Sequence, residues 1–279
     1  MAEYTGATQV AQTYYNSSDA LQFYFNIWGG EDIHVGIYDN DSEPIADASR
    51  RTVSRMLDML PPLDADSTVI DFGAGFGGAA RQIVNRTGCR VVCLNLSEKQ
   101  NELNREKNRE AGLDDRIEVI DGTFEDVPKP DASFDVVWSE DSILHASDRE
   151  KVIREANRVL KPGGSFIFTD PMQREDCDEK VLQPIYDRIH LDSLATFSYY
   201  RDTACANGFE EVAIEDLTEH LARHYNRVRE NLLARKDDIV KIASPEYVEN
   251  MLKGLQHWVD GGRSGYLAWG ILHFRKRSA

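Results

Sequence analysis

Residues 69–78 read VIDFGAGFGG. Apolar residues around one acid run into a cluster of glycines, Gly73, Gly75, Gly77 and Gly78, and a helix is predicted to open near Phe76. Gly73, Gly75 and Gly78 satisfy G-x-G-x-x-G, the spacing in which glycine backbone and a helix N-terminus meet the pyrophosphate of a dinucleotide. Asp71 argues against that ligand. A carboxylate at the strand end would repel phosphates, but it favours S-adenosylmethionine, which has no phosphate and carries both a sulfonium and an ammonium.

Outward from this loop the chain alternates between short apolar runs and helical stretches. STVIDF, RVVCLNL, RIEVIDG, FDVVWSE and GSFIFTDP read as strands, with helices between them beginning near Phe76, Ser97 and Asp148. Such alternation predicts a parallel sheet with crossover helices. The helix DREKVIREANRVL places Val152, Ile153, Ala156, Val159 and Leu160 on one stripe, and KPGG ends it. FEEVAIEDL and YLAWGILHFRKR supply a sixth and a seventh strand, expected to pair antiparallel at the sheet edge. The fifty or so residues between them are too many for a bare loop and read as a helical lid. Before the sheet, residues 8–60 are predicted helical, stopped by Pro61 and Pro62. The expected fold is therefore α/β: a doubly wound, Rossmann-like seven-stranded sheet with an antiparallel last strand, an N-terminal helical cap and an inserted helical lid. The expected organisation is cap 1–62, cofactor-binding core 63–216, lid 217–264 and final strand 265–279.

Charge narrows the partners. The net charge of −16 disfavours nucleic acid and anionic membrane surfaces. The 32 basic residues divide into 22 arginines and 10 lysines, and this acidic, lysine-poor composition suits either solubility in high salt or an ordinary acidic enzyme. No apolar run is long enough for a membrane span, and MAEYTGATQV lacks the pattern of a secretory signal, so a cytoplasmic protein is expected. Cys89, Cys93, Cys177 and Cys205 form no C-x-x-C pair and no metal spacing; idle thiols in a reducing compartment and no metal site are expected.

Ligands of open α/β sheets bind beyond the carboxyl ends of the strands. The expected cofactor contacts are Asp71, Gly73, Gly75, Asn95, Leu96, Gln100, Gly122, Thr123, Phe124 and Ser139. Asn95 stands where an acid ordinarily holds the ribose hydroxyls; its amide can donate to one and accept from the other, or it is a turn residue before the Ser97 cap. Phe124 either stacks on adenine or belongs to the core, with Glu125 or Asp126 near the adenine amino group.

VIDFGAGFGGAARQ, LNLSEKQNELNREKNREAGL, FDVVWSEDSILHASDREKVIREANRVLKPGG and FTDPM together resemble the class I S-adenosylmethionine-dependent methyltransferases over about residues 65–175. FYFNIWGGEDIHVGIY looks like the cap of small-molecule members. SEDSILHASD, DPMQ, QPIYDRIHLDSLATFSYYRD and LQHWVDGGRSGYLAWG look most like the sarcosine/dimethylglycine N-methyltransferases of glycine betaine synthesis. The resemblance implies S-adenosylmethionine as methyl donor, S-adenosylhomocysteine as product, a small amine as acceptor, and a monomer or homodimer. Asn95 departs from the acid common in the broader fold.

Methyl transfer from a sulfonium is an in-line displacement, so the protein must supply alignment, water exclusion and a deprotonated amine. After the fourth strand come Glu140, Asp141 and His145; His145 is the candidate proton acceptor, unless it is a structural histidine. Arg188, Arg201 and Arg263 are candidates for the substrate carboxylate. Tyr15, Tyr24, Trp28, Tyr200, Trp258 and Trp269 offer aromatic faces for the migrating positive charge, or form plain core. The expected substrate contacts are Tyr24, Trp28, Asp141, His145, Tyr200 and Arg201. Two other readings stand beside the N-methyltransferase: a methyltransferase with a phosphoethanolamine-like, tocopherol-like or lipid acceptor, and a non-catalytic S-adenosylmethionine-binding module.

Overall fold

The computed structural model describes residues 6–189 and 191–278. Seven strands form one sheet: β1 (Thr68–Phe72), β2 (Arg90–Asn95), β3 (Ile117–Asp121), β4 (Phe134–Glu140), β5 (Leu160–Gln173), β6 (Phe209–Asp216) and β7 (Leu267–Lys276), in the order β3-β2-β1-β4-β5-β7-β6. The first five pair in parallel, and β7 inserts antiparallel between β5 and β6. All seven expected strands form, and the last pair is antiparallel. The strand order reverses between β1 and β4, which opens a crevice at their carboxyl ends.

Both faces of the sheet are buried, as a parallel sheet with crossover helices requires. The side chains alternate along each strand. Ile70, Phe72, Val137, Phe166 and Phe168 face α6 (Arg149–Val159) and α8 (Phe197–Ala206). Val69, Val91, Val136, Trp138 and Ile167 face α3 (Ile45–Met59) and α4 (Gly78–Thr87). Each fully buried apolar side chain of this kind contributes about 1.5–3 kcal/mol against leaving it in water. The predicted helix starts follow from caps: Ser97 accepts from the Gln100 N–H at the head of α5 (Glu98–Glu110), and Asp148 accepts from the Lys151 N–H at the head of α6.

A third apolar cluster lies above the strand ends, where cap meets lid. The cap comprises α1 (Gly6–Tyr15), α2 (Ser18–Phe23) and a π-helical turn (Tyr24–Trp28) before α3. The lid comprises α9 (Glu219–Ala234), the short α10 (Lys236–Ile239) and α11 (Pro245–Arg263), with α7 (Glu179–Ile189) packed on α11. The expectation of helix throughout 8–60 fails between the π turn and α3. Gly29 and Gly30 end the helical run, Pro44 precedes the next, and residues 29–44 cross the sheet top as irregular chain. The lid pins this crossing: His224 Nδ1 accepts from the Gly36 N–H at 3.1 Å, and His220 Nδ1 accepts from the Tyr38 N–H at 3.1 Å. Among the described residues, no helix is long and apolar enough to cross a membrane.

Candidate active site

The glycine loop turns sharply between β1 and α4. Gly73 has φ +81°, a conformation that costs an L side chain energy, and a Cβ there would overlap the Ser142 side chain. A Cβ on Gly78 would overlap the Asp32 carboxylate of the crossing segment, so this glycine lets cap and loop close on one another. Arg81 ties them further: buried, it donates to Glu31 of the crossing (2.7 Å), to the Phe76 carbonyl of the loop (2.7 Å) and to Asn108 of α5 (2.8 Å).

Between loop and crossing lies a cavity of about 830 Å³, counting its mouth, at the switch point of the sheet. Its walls combine the ends of β1, β2 and β4 (Asp71, Asn95, Glu140), the loop glycines, and Tyr15, Glu31, Asp32, Ile33 and His34 from the cap. Carboxylates gather here around one imidazole. His34 Nε2 lies 3.4 Å from Glu140 Oε1 and 3.8 Å from Asp32 Oδ1, while its Nδ1 donates to the Val35 carbonyl at 3.1 Å. Burial alone would lower the His34 pKa, but Glu140, Asp32 and Asp141 override it and push it up to about 10, which favours the protonated ring. Even so, the acids outweigh it. Burial, with Glu140 nearby, drives the Asp71 pKa well above the usual carboxylate range, and burial pushes Glu140 up to about 7 against the opposing pull of His34 and the Trp138 N–H. Buried acids held in this state are a receptacle for a cationic ligand.

At the neighbouring strand end, Asn95 Nδ2 donates to Gln100 Oε1 at 3.0 Å, and Gln100 Nε2 has no hydrogen-bond partner among the described residues. The pair thus offers the cavity an amide donor and an amide acceptor, the two functions that adjacent ribose hydroxyls need. Phe124 lines the cavity and also packs on Phe72, ring centroids 6.1 Å apart, so it is both wall and core.

A second cavity adjoins the first and shares Tyr15, Ile33, Asp141 and His145 with it; the remaining walls include Tyr24, Trp28, Pro171, Tyr225 and Trp258. Asp141 is fixed by the Val35 N–H (2.6 Å) and the Trp269 indole N–H (2.8 Å). His145 Nε2 and the Tyr15 hydroxyl are hydrogen-bonded at 3.0 Å. One compartment is lined by acids and backbone, the other mainly by aromatic rings.

This geometry has close parallels. A family profile described as a methyltransferase domain matches residues 70–168. The sarcosine/dimethylglycine N-methyltransferase of Halorhodospira halochloris is 57% identical over 97% of both chains, and that of Aphanothece halophytica 50% identical over 99% of this chain and all of the other. The chain belongs to the sarcosine/dimethylglycine N-methyltransferase family. A crystal structure from Galdieria sulphuraria, provisionally named a sarcosine dimethylglycine methyltransferase, superposes with a TM-score of 0.90 at 42% identity, covering 95% of this chain and all of that one.

In this sarcosine/dimethylglycine N-methyltransferase family member, the sequence-predicted residues divide clearly. Asp71, Gly73, Gly75, Asn95, Leu96, Gln100, Gly122 and Phe124 line the first cavity; Tyr24 and Trp28 line the second; Asp141 and His145 line both. Four expected contacts lie elsewhere. Ser139 is wholly buried within β4, and its hydroxyl donates to the Phe72 carbonyl at 2.8 Å, joining β4 to β1. The Thr123 hydroxyl accepts from the Glu125 N–H at 3.1 Å in a local turn and faces neither cavity. Tyr200 lies beneath the site, where its hydroxyl donates to Asp170 Oδ2 at 2.5 Å; Asp170 Oδ1 in turn accepts from the Leu144 N–H at 3.1 Å. Tyr200 therefore steadies the turn bearing His145 rather than touching the cavity. Because Tyr200 faces the core, the next residue on α8 points outward: Arg201 is exposed and paired with Asp202.

Arg263 is exposed at the end of α11, and the Arg188 side chain lies outside the described residues. Glu125 is also spent elsewhere, accepting from the N–H groups of Ser147 and Asp148. Sequence reasoning missed Glu31, Asp32 and His34 as site residues. Their signal was present: GGEDIH breaks a predicted helix with two glycines and then places two acids and a histidine together.

Proposed function

We propose that the chain carries a methyl group from S-adenosylmethionine to the amines of sarcosine and dimethylglycine, yielding glycine betaine. The observation that carries this reading is the adjoining of an acid-lined cavity and an aromatic-lined one across a wall shared by Asp141 and His145. Family membership supports the same acceptor class, since the two relatives above bear that activity in their names.

The acid cluster fits the proposed donor. Asp71 and Glu140 would meet its positive groups, the Asn95–Gln100 pair its ribose, and Phe124 its adenine. When bound, S-adenosylmethionine supplies a methyl group on a sulfonium, which leaves as the neutral thioether S-adenosylhomocysteine. The chain's own residues then have three tasks. His145, hydrogen-bonded to Tyr15, would accept the ammonium proton and expose the amine lone pair. The aromatic walls accommodate positive charge as it passes from sulfur to nitrogen. Cap and lid, packed in one apolar cluster, exclude water. We place the enzyme in the cytoplasm as a monomer or homodimer.

An acceptor panel with labelled S-adenosylmethionine tests this reading: glycine, sarcosine, dimethylglycine, phosphoethanolamine and a phenol. Transfer to sarcosine or dimethylglycine is expected. Transfer only to phosphoethanolamine or the phenol overturns the acceptor, and cofactor binding without transfer to any of them favours a binding module.

A further inference from the structure

The chain has four tryptophans, all buried, and their indole N–H groups fall into two pairs. Trp138 Nε1 donates to Glu140 Oε2 at 3.0 Å, and Trp269 Nε1 donates to Asp141 Oδ1 at 2.8 Å. Trp28 Nε1 and Trp258 Nε1 have no hydrogen-bond partner among the described residues, although the two residues are only 5% and 1% exposed. Both line the second cavity. Leaving a buried donor unmade costs about 1–3 kcal/mol, so two such donors on residues that line one cavity point to an acceptor group there. Tyr225 holds them on a common framework: its ring stacks on Trp258 at 4.6 Å and 5° and meets Trp28 edge-on at 5.5 Å and 89°.

We propose that Trp28 and Trp258 present their indole N–H groups to the carboxylate of the amino-acid acceptor, which is thereby recognised by neutral donors and not by an arginine. The inference rests on the acceptor reading above. Charge distribution favours this orientation. Asp141 and His145 occupy the wall shared with the cofactor cavity, so the amine belongs there, and a carboxylate turned that way would face the acid cluster. Among the described residues lining the second cavity there is no lysine or arginine. A guanidinium beside this small cavity would also repel the ammonium product, whereas an indole offers an N–H at its edge and a favourable face to a methylated cation.

Trp28→Phe and Trp258→Phe keep an aromatic ring and delete the N–H. Each variant is assayed with dimethylglycine and with N,N-dimethylethylamine, which lacks the carboxylate, and its affinity for S-adenosylhomocysteine is measured. Each substitution is expected to raise KM for dimethylglycine about tenfold, the energy of one hydrogen bond to a charged group. Affinity for S-adenosylhomocysteine should stay within about twofold, and the loss in kcat/KM should be several-fold smaller for N,N-dimethylethylamine than for dimethylglycine, since only the smaller ring face is felt where no carboxylate meets the N–H. A dimethylglycine KM unchanged in both variants, or equal losses on both acceptors, overturns the proposal.

A second measurement on the wild-type protein does not depend on the variants folding. With isotope-labelled indole nitrogens, two of the four indole N–H resonances should shift when dimethylglycine joins the S-adenosylhomocysteine complex, and remain in place with N,N-dimethylethylamine; no selective shift contradicts the proposal. Wild type that transfers no methyl to dimethylglycine overturns the acceptor reading and this inference with it. Wild type that transfers normally, with variants unaffected, overturns this inference alone.

Discussion

The two cavities handle positive charge in opposite ways. The first is lined with acids, Asp71, Glu140 and Asp32 around His34, and holds them in a state that a cation would relieve. The second is lined mostly with rings, Tyr15, Tyr24, Trp28, Tyr225 and Trp258. A fixed carboxylate binds a permanent cation strongly, whereas aromatic faces favour a cation without trapping it. The difference suits a donor that must be retained through the reaction and an acceptor whose charge changes during it. Asp141 and His145, on the common wall, are the points where the two chemistries meet.

The comparison can be broken from the cofactor side first. Asp71→Ala should weaken S-adenosylmethionine binding about a hundredfold or more, roughly 3 kcal/mol, because a buried charge partner is lost. Unchanged affinity by calorimetry removes Asp71 from the site. Next is the shared wall. His145→Ala should lower kcat about tenfold to a hundredfold while cofactor affinity stays within about threefold, and equal losses in both would make this histidine a structural one. Smaller effects belong at the ribose end. Gln100→Ala should weaken cofactor binding about tenfold by removing the unpartnered amide donor, whereas Asn95→Asp should stay within about threefold, since Gln100 can turn its amide toward the new carboxylate. The smallest effect belongs to Arg201→Ala. An exposed side chain paired with its neighbour should leave KM for dimethylglycine within about twofold, and a large rise would return Arg201 to the acceptor site.

Much of this arrangement was legible in the chain, for physical reasons that differ by region. The strands announced themselves because a parallel sheet buried on both faces needs runs such as TVIDF and RVVCLN, bounded by helix caps at Ser97 and Asp148. Asp71 and the loop glycines were readable as cavity wall because their place at the end of one strand is set by position in the chain. The crossing segment was not, since its function arises only when Gly78 lets Asp32 approach and Arg81 anchors Glu31, contacts between residues far apart in sequence. Nor could the substrate end be ranked. The choice between Tyr200 and Tyr24 turns on which ring faces the cavity, and the side chains of SYYRD gave no periodic signal strong enough to separate the inward Tyr200 from the outward Arg201. That no arginine lines the second cavity among the described residues was equally invisible, since pairings such as Arg201 with Asp202 and the Arg81–Glu31 clasp depend on the folded chain.

The central claim is that the acid cluster is built for a cation, and the affinity of the wild-type chain for S-adenosylmethionine as a function of pH tests it most directly. Without ligand, burial holds Glu140 up to about 7; a cation beside it favours the ionised form and lowers that value. Binding therefore releases a proton wherever Glu140 starts protonated, and affinity is lost as pH falls through the neutral range. Calorimetric titrations from about pH 5.5 to about pH 8.5 should show affinity rising with pH, up to about tenfold per pH unit for each acid that gives up its proton, with net proton release at neutral pH. Affinity that is flat across this range, or stronger toward acid pH, would contradict the account.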